Sequence, residues 1–174
     1  MKMEVLMEFE LKTLSPEAVA RAIAKAERYR LLNEPAEAES ICLDALAIEP
    51  DNHDALVNLL LALTEQFDED LPSALSDAFQ VVNRMSDPYE HAYFSGIVWE
   101  RRAKAQLHRG GLGLGPQVYA SLREAMTWYE RAEAVRPAGN DDPILRWNTC
   151  ARLIMRDHRL APASEERGEP LFLE

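Results

Sequence analysis

The chain has 174 residues, 47% hydrophobic and 28% charged, which is enough for one globular domain or a short repeat array. Two cysteines exclude a disulfide framework, and no apolar run approaches the ~18 residues of a membrane span. The net charge of −11 is uneven, because residues 1–88 hold 7 Lys and Arg against 18 Asp and Glu, whereas residues 89–174 hold 12 of each. A free-standing nucleic-acid-binding protein normally has a basic face, so we expect neither a nucleic-acid nor a membrane partner.

The first fourteen residues differ from the rest of the chain. Apolar residues alternate there with Glu4, Glu8 and Glu10, and a period of two indicates an extended segment. An amphipathic helix is the alternative for this segment. The acidic residues also argue against a signal peptide, so we expect a cytoplasmic protein.

From Ser15 onward the sequence predicts helices separated by proline and glycine. Ser15-Pro16-Glu17 is a typical helix start, with a capping hydroxyl, a proline at the first position and an acid in the first turn. We expect an all-α chain with an N-terminal arm (1–14), a helical repeat domain (15–157) with a loop insert (109–117), and a C-terminal tail (158–174). The seven predicted helices span residues 16–32, 36–48, 53–67, 71–85, 89–108, 118–135 and 144–157.

A pattern of small residues recurs on the second helix of each predicted pair. Small residues on one helix face allow the paired helix to approach closely, and a proline ends the second helix. A single pair cannot bury its apolar face alone, so successive pairs must stack. The sets, of which the third is weaker, are Ala38, Cys42, Ala45 and Pro50; Ala125, Tyr129, Ala132 and Pro137; and Ala74, Ala78, Val81 and Ser86.

This pattern resembles the tetratricopeptide repeat (TPR), a helix–turn–helix unit of about 34 residues. The resemblance covers about residues 17–157, and the unit from Val19 to Asn52 fits at full length. In the third repeat Gly96 takes the position at which the paired helices pack closely. The resemblance implies a right-handed α–α superhelix of about three TPR helix pairs plus a C-terminal capping helix, the last helix of the chain.

What the resemblance implies for function is a non-catalytic protein–protein interaction scaffold that binds a peptide segment in the concave groove of its repeats. Ile23 and Glu27 stand where family members that grip chaperone C-termini carry Lys and Asn, so we do not expect that ligand. Apolar groove residues with flanking acids instead suit an apolar peptide that carries basic residues. The implied concave face comprises Glu27, Arg30, Asn58, Leu61, Glu65, Tyr93, Ile97 and Arg101.

An alternative is that these residues contact other parts of the same chain, such as the arm or the tail. A homodimer formed through the arm or the tail is also left open. The apolar triplet Leu171-Phe172-Leu173 near the end of the tail is expected either to dock on the helices or on a neighbouring copy, or to be frayed.

The remaining reactive residue types form no catalytic or metal-binding pattern. Cys42 and Cys150 have no CxxC partner and are expected to be buried, and the four histidines show no HExxH spacing. We therefore expect no metal, no cofactor and no enzymatic activity, and a small α-helical enzyme is the least favoured alternative. Burial in the core is also expected for the three tryptophans, whereas an exposed one would mark a binding hot spot: Trp99, Trp128 and Trp147.

Two features of the C-terminal half suggest a different function. The run Gly110–Gly115 follows a helix and lacks a following Lys-Ser/Thr, so it predicts a connector rather than a phosphate-binding loop. Arg101, Lys104 and His108 share one face of the preceding helix. Together they would suit an assembly or regulatory subunit that uses the Gly-rich loop and the basic fifth helix. The basic residues could bind an anion or an acidic partner, or they could equally pair with the acidic N-terminal half, within one molecule or between two.

Overall fold

The computed structural model describes residues 9–69 and 71–163, which contain seven α-helices and no strand. The prediction of an all-α chain is therefore confirmed, and each predicted helix agrees with an observed one to within about one turn. A short 3₁₀ helix at Pro16–Ala18 precedes the first α-helix. The α-helices are α1 (Val19–Leu31), α2 (Pro35–Ile48), α3 (His53–Glu65), α4 (Leu71–Val82), α5 (Pro88–Arg109), α6 (Gly115–Val135) and α7 (Asp142–Arg156).

Local sequence explains where these helices begin. Proline occupies the first turn of α2, α5, α6 and α7, where the missing backbone N–H has no helical partner to lose. The Asp87 side chain accepts the backbone N–H of Glu90 at 2.9 Å and so caps α5. The Asn52 side chain likewise accepts the N–H of Ala55 at 3.0 Å at the start of α3.

The chain divides into two compact units, Met1–Ala62 and Leu63–Glu174. In the first unit α1 and α2 form a helical hairpin. The turn between them passes through Asn33 in the left-handed region (φ 62°), a conformation that asparagine tolerates better than most residues. The buried faces of this hairpin carry Val19, Ile23 and Ala26 from α1 and Ala38, Cys42, Ala45 and Leu46 from α2.

In the second unit α5 is the central helix. It packs against α4 on one side and α6 on the other, and α6 also packs against α7. The closest approach is at Gly96, where an added Cβ would lie 2.5 Å from the ring of Tyr129. Only a glycine at this position therefore permits the observed distance between α5 and α6.

The first three residues of each recurring set are buried. Each of the three sets contributes its three helical members to the core: Ala38, Cys42 and Ala45; Ala74, Ala78 and Val81; Ala125, Tyr129 and Ala132. Burial of these positions agrees with the packing role assigned to them from their spacing.

The predicted arm and tail are described only in part. Residues 9–15 carry no helix or strand, and residues 1–8 lie outside the described residues. At the other end Leu160 is buried after α7 has ended, so the beginning of the predicted tail packs on the helices. The apolar triplet near the end of the tail lies outside the described residues.

Candidate functional site

The predicted concave-face residues of the first unit include one direct contact. Arg30 Nη1 donates to Asn58 Oδ1 at 3.1 Å, which joins α1 to α3. Asn58 Nδ2 in turn donates to the backbone carbonyl of Asp54 at 3.0 Å. Glu27 is exposed, whereas Leu61 is half-buried. The structure thus brings Arg30 and Asn58 together and leaves Glu27 open to solvent.

In the second unit the predicted residues have different exposures. Glu65, Tyr93 and Arg101 are half-buried. Ile97 is only 4% exposed and belongs to the core, so its side chain offers almost no surface to a partner. The prediction that Ile97 is an accessible residue of the concave face is therefore wrong. Because α5 packs against both α4 and α6, few of its positions remain open.

Three tyrosines form a row across α5 and α6, with the predicted concave-face residue Tyr93 in the middle. The rings of Tyr89 and Tyr93 are stacked, with centroids 5.8 Å apart, and Tyr93 continues to Tyr129 of α6 at 6.0 Å. Asn140 Nδ2 donates to the hydroxyl oxygen of Tyr89 at 2.9 Å and ties the segment before α7 to α5. Desolvation raises the pKa of both Tyr89 and Tyr93, so both phenols stay neutral near neutral pH.

Beside this row lies a buried ionic group that we call the Glu100 cluster: Glu100, Lys104, Tyr129 and Arg146. The carboxylate of Glu100 is fully buried and accepts the hydroxyl of Tyr129 at 2.7 Å through Oε2. Lys104 Nζ lies 2.5 Å from Oε1, and Arg146 Nε lies 3.2 Å from Oε2. The cluster therefore links α5, α6 and α7 through a single carboxylate.

The electrostatics of the cluster raise the pKa of both Tyr129 and Arg146. Burial, followed by the charge of Glu100, raises the pKa of Tyr129 far above its usual range. Burial alone would lower the pKa of Arg146, but Glu100 and Tyr129 outweigh it and the net shift is upward. Burial and Glu100 also raise the pKa of the neighbouring Cys150 thiol to about 12. Neither the phenol nor the thiol is thus a nucleophile near neutral pH.

Sequence reasoning missed Glu100, although a signal for it exists. Ala92, Gly96 and Ala103 are small residues at helical spacing on α5, and Glu100 falls on the same face, four residues after Gly96. An acid on a face of small residues is expected to be buried, and a buried acid needs cationic or hydrogen-bonding partners. The second cation, Arg146, lies 46 positions along the chain, and helical spacing alone does not reveal such a partner.

The basic residues of the fifth helix mostly have partners within the molecule. The guanidinium of Arg102 lies over the ring of Trp99 at 4.9 Å. His108 Nδ1 is 3.2 Å from Oδ2 of Asp68, and Arg109 donates to the backbone carbonyl of Asp68 at 3.3 Å. At Arg102, His108 and Arg109 the structure therefore agrees with the alternative in which the basic residues pair with groups of the same molecule.

The tryptophans are half-buried, so they are neither fully buried in the core, as predicted, nor exposed as a binding hot spot would be. Trp128 Nε1 donates to Glu124 at 3.1 Å, and Trp147 Nε1 donates to Glu130 at 2.9 Å. The indole N–H needs a polar partner, which holds each ring at the edge of the helix packing. The cysteines Cys42 and Cys150 are buried and free, as predicted.

The backbone conformation of the Gly-rich loop between α5 and α6 requires its glycines. Gly110, Gly111 and Gly113 have φ of 65°, 132° and 82°, a region that other residues rarely adopt. Leu112 between them is fully exposed. The loop, the adjoining ends of α5 and α6 and the Arg159–Leu160 segment line a partly open pocket of about 260 Å³.

Metal-binding clusters and membrane-spanning helices are both absent from the described residues. Within residues 9–69 and 71–163, no three His, Cys, Asp or Glu side chains gather in a way that could hold a metal ion. None of the helices described is both long and apolar enough to span a bilayer.

Comparison with protein-family models, with curated proteins and with solved structures finds no match to this chain.

Proposed function

We propose that this chain is a non-catalytic protein–protein interaction scaffold that binds a peptide segment on the first helices of TPR-like pairs. In this proposal α1 to α6 form three pairs, α7 is the capping helix, and the pairs stack as a right-handed superhelix. The protein acts in the cytoplasm. The buried small residues of the three repeated sets support the repeat assignment.

The observation that carries the proposal is the composition of the α5 surface in the second unit. Tyr89 and Tyr93 form a stacked pair that is only half-buried, and the partly exposed cation Arg146 of α7 lies close enough to act on the phenol of Tyr93. Aromatic side chains held rigidly beside charged groups are typical of interaction hot spots. The stacking fixes both rings before a partner arrives, so little side-chain entropy is lost on binding.

A catalytic function has less support from the same surface. Its one buried carboxylate is held by the Tyr129 hydroxyl and two cations. The nearby thiol of Cys150 is protonated, because burial raises its pKa to about 12. No histidine belongs to the Glu100 cluster. A general acid or base working near neutral pH needs a group that titrates there, and the raised pKa of the Cys150 thiol and of the Tyr129 phenol excludes these two groups.

The test is selection of a random peptide library on the immobilised full chain, followed by mapping of the bound surface by amide chemical-shift changes. We expect enriched peptides whose binding shifts the amides around Tyr89 and Tyr93. A Tyr93→Ala variant should weaken the selected peptides. The matched control is Tyr119→Ala, because Tyr119 is a half-buried tyrosine on α6, a second helix.

Two results would contradict this function. One is a selection that enriches no peptide above the background of the bare support. The other is a set of enriched peptides that respond equally to Tyr93→Ala and Tyr119→Ala, because such peptides would not distinguish the first-helix surface from the second. Circular dichroism of both variants shows whether each is folded.

A second function is favoured by one observation at the Gly-rich loop. Leu112 is fully exposed at the tip, between glycines whose backbone positions are strained for other residues. An apolar side chain presented in this way suits an assembly or regulatory subunit that contacts its partner through the loop. Leu112→Ser should abolish co-assembly under this alternative and leave peptide selection unchanged under the first.

A further inference from the structure

The pocket beside the Gly-rich loop has apolar walls and is partly open to solvent. Its apolar lining comes from α5, the loop, α6 and the segment that follows α7: Leu107, Leu114, Val118 and Leu160. Leu107 and Leu114 are only half-buried, so apolar surface remains uncovered there. The volume of about 260 Å³ is below the roughly 300–1,000 Å³ of small-molecule pockets. The pocket therefore suits one or two apolar side chains rather than a cofactor.

The segment that forms the last wall of this pocket is held closely against α6. A Cβ added at Gly115, the first residue of α6, would overlap the backbone carbonyl oxygen of Arg159. Only glycine at this position permits such an approach. Arg159 Nη2 in turn donates to the Asp157 carboxylate at 2.6 Å. The chain beyond Leu160 therefore starts from a fixed point on the wall of the pocket.

The chain that follows this wall contains one apolar segment, Leu171-Phe172-Leu173. Phe172 follows Leu160 by twelve positions, and an extended chain of that length spans at most about 40 Å. The triplet can therefore return to the pocket by a turned path. A short tether also keeps it at an effective concentration in the millimolar range, far above that of a second copy in dilute solution.

The charges of the tail and of the pocket rim are complementary. Arg109, immediately before the lining residue Gly110, is exposed and donates only to backbone carbonyls, so it forms no ion pair within the described residues. The nearby Asp157 carboxylate is already bound to Arg159. An uncompensated cation on the rim favours an acidic segment over a neutral one. Residues 164–174 carry one cation, Arg167, and four acids: Glu165, Glu166, Glu169 and Glu174.

We propose that the pocket beside the Gly-rich loop is the docking site of the chain's own Leu171-Phe172-Leu173, with the ring of Phe172 inside it. The flanking acids then lie towards the cationic rim, and the docked triplet covers the half-buried Leu107 and Leu114. A protein that binds through the Gly-rich loop must displace the triplet, so the tail competes for that surface. This proposal does not depend on peptide binding by the first helices.

The experiment places a nitroxide on the full chain and maps the amide signals that it broadens. Both native thiols are buried, so a Glu174→Cys variant is labelled selectively at the new cysteine, two positions after Phe172. We expect strong broadening at the pocket residues Leu114 and Val118. Val135 should keep a sharp signal, because the opposite end of α6 is about 30 Å away.

The substitution Phe172→Ser in the labelled chain should weaken the broadening at the pocket severalfold. Arg167→Ser is the matched control, because it changes the same segment outside the triplet and should leave the broadening intact. Leu114→Ser tests the same contact from the pocket side and should weaken the broadening at Val118. Circular dichroism shows whether each variant is folded, and the comparison of the two tail variants stands without Leu114→Ser.

A mixed sample distinguishes the chain's own tail from that of a second copy. Nitroxide-labelled chains are combined with isotope-labelled chains that carry no nitroxide. Sharp pocket signals in the mixture, together with broadening within the labelled chain, support the proposal. Broadening that passes to the chains without nitroxide identifies a second copy as the occupant and overturns it. Pocket signals that stay sharp in the labelled chain, or equal broadening in Phe172→Ser and Arg167→Ser, also overturn it.

Discussion

The hydroxyl of Tyr129 donates to the carboxylate of Glu100 across 2.7 Å, and neither side chain is exposed to solvent. The same tyrosine ring lies against Gly96, where it sets the distance between α5 and α6. Tyr129 thus joins the packing between α5 and α6 to the one buried ionic group described in the second unit.

Tyr129→Phe should lower the free energy of unfolding by about 1–3 kcal/mol, because a buried carboxylate oxygen loses a donor and keeps its desolvation cost. The ring, and hence its packing on Gly96, is retained. Urea denaturation measures the difference. Tyr119→Phe on the same helix is the control and should change stability by less than about 0.5 kcal/mol. Equal effects of the two substitutions would mean that the hydrogen bond contributes nothing specific.

Gly96→Ala should destabilise the protein by about 1–3 kcal/mol, because the new Cβ overlaps the Tyr129 ring. The sign is informative, since glycine to alanine within a helix ordinarily stabilises by up to about 1 kcal/mol. A double-mutant cycle with Tyr129→Leu should show coupling, because the smaller side chain makes room for the methyl group.

Gly96→Arg, like Ala26→Arg in the first unit, should prevent folding. Unchanged thermal melting of both arginine variants would show that these helix contacts are assigned incorrectly.

Ile97→Glu should destabilise strongly, by more than about 3 kcal/mol, because it places an unpaired acid in the core. Leu145→Glu is the matched control, because Leu145 is exposed on α7 of the same unit. Thermal unfolding followed by circular dichroism separates the two. If Ile97→Glu melts like the wild type and loses peptide binding, Ile97 is an accessible anchor after all.

Alkaline pH should weaken the fold through its buried thiols. Burial raises the pKa of Cys150 to about 12 and that of Cys42 to about 11, whereas the ordinary value is 9.0. Above pH 9 the unfolded chain loses these protons and the folded chain keeps them, so the free energy of unfolding decreases as pH rises from 9 towards the folded values. Below pH 9 both states hold the protons and the thiols cause no dependence.

Urea unfolding at pH 8, 9 and 10 tests this, with Cys150→Ala as the comparison. The variant should show a shallower loss of stability with pH than the wild type. In addition, iodoacetamide should modify both thiols slowly in the folded protein at pH 9 and rapidly in urea. Rapid labelling of Cys150 without denaturant would show that this thiol is neither buried nor protonated.

Local signals in the sequence are enough to predict the helices and the faces that they bury. Prolines and small polar residues mark the starts of the helices, and these local signals act within one turn, so no distant contact is needed to read them. The spacing of Ala38, Cys42 and Ala45, and of Ala125 and Ala132, likewise identified buried positions, because helical periodicity fixes which residues share a face.

The packing of distant segments, which local signals do not reveal, sets which polar residues meet and which apolar residues stay exposed. Glu100 acquires Tyr129 and Arg146 from helices that follow it in the chain, and no local pattern connects these positions. Ile97 is buried because α5 packs against neighbours on two sides, although its own helix spacing also suits a groove. Local propensity acts over a few residues, whereas burial and ion pairing depend on contacts between distant segments, and these exist only once the helices have packed.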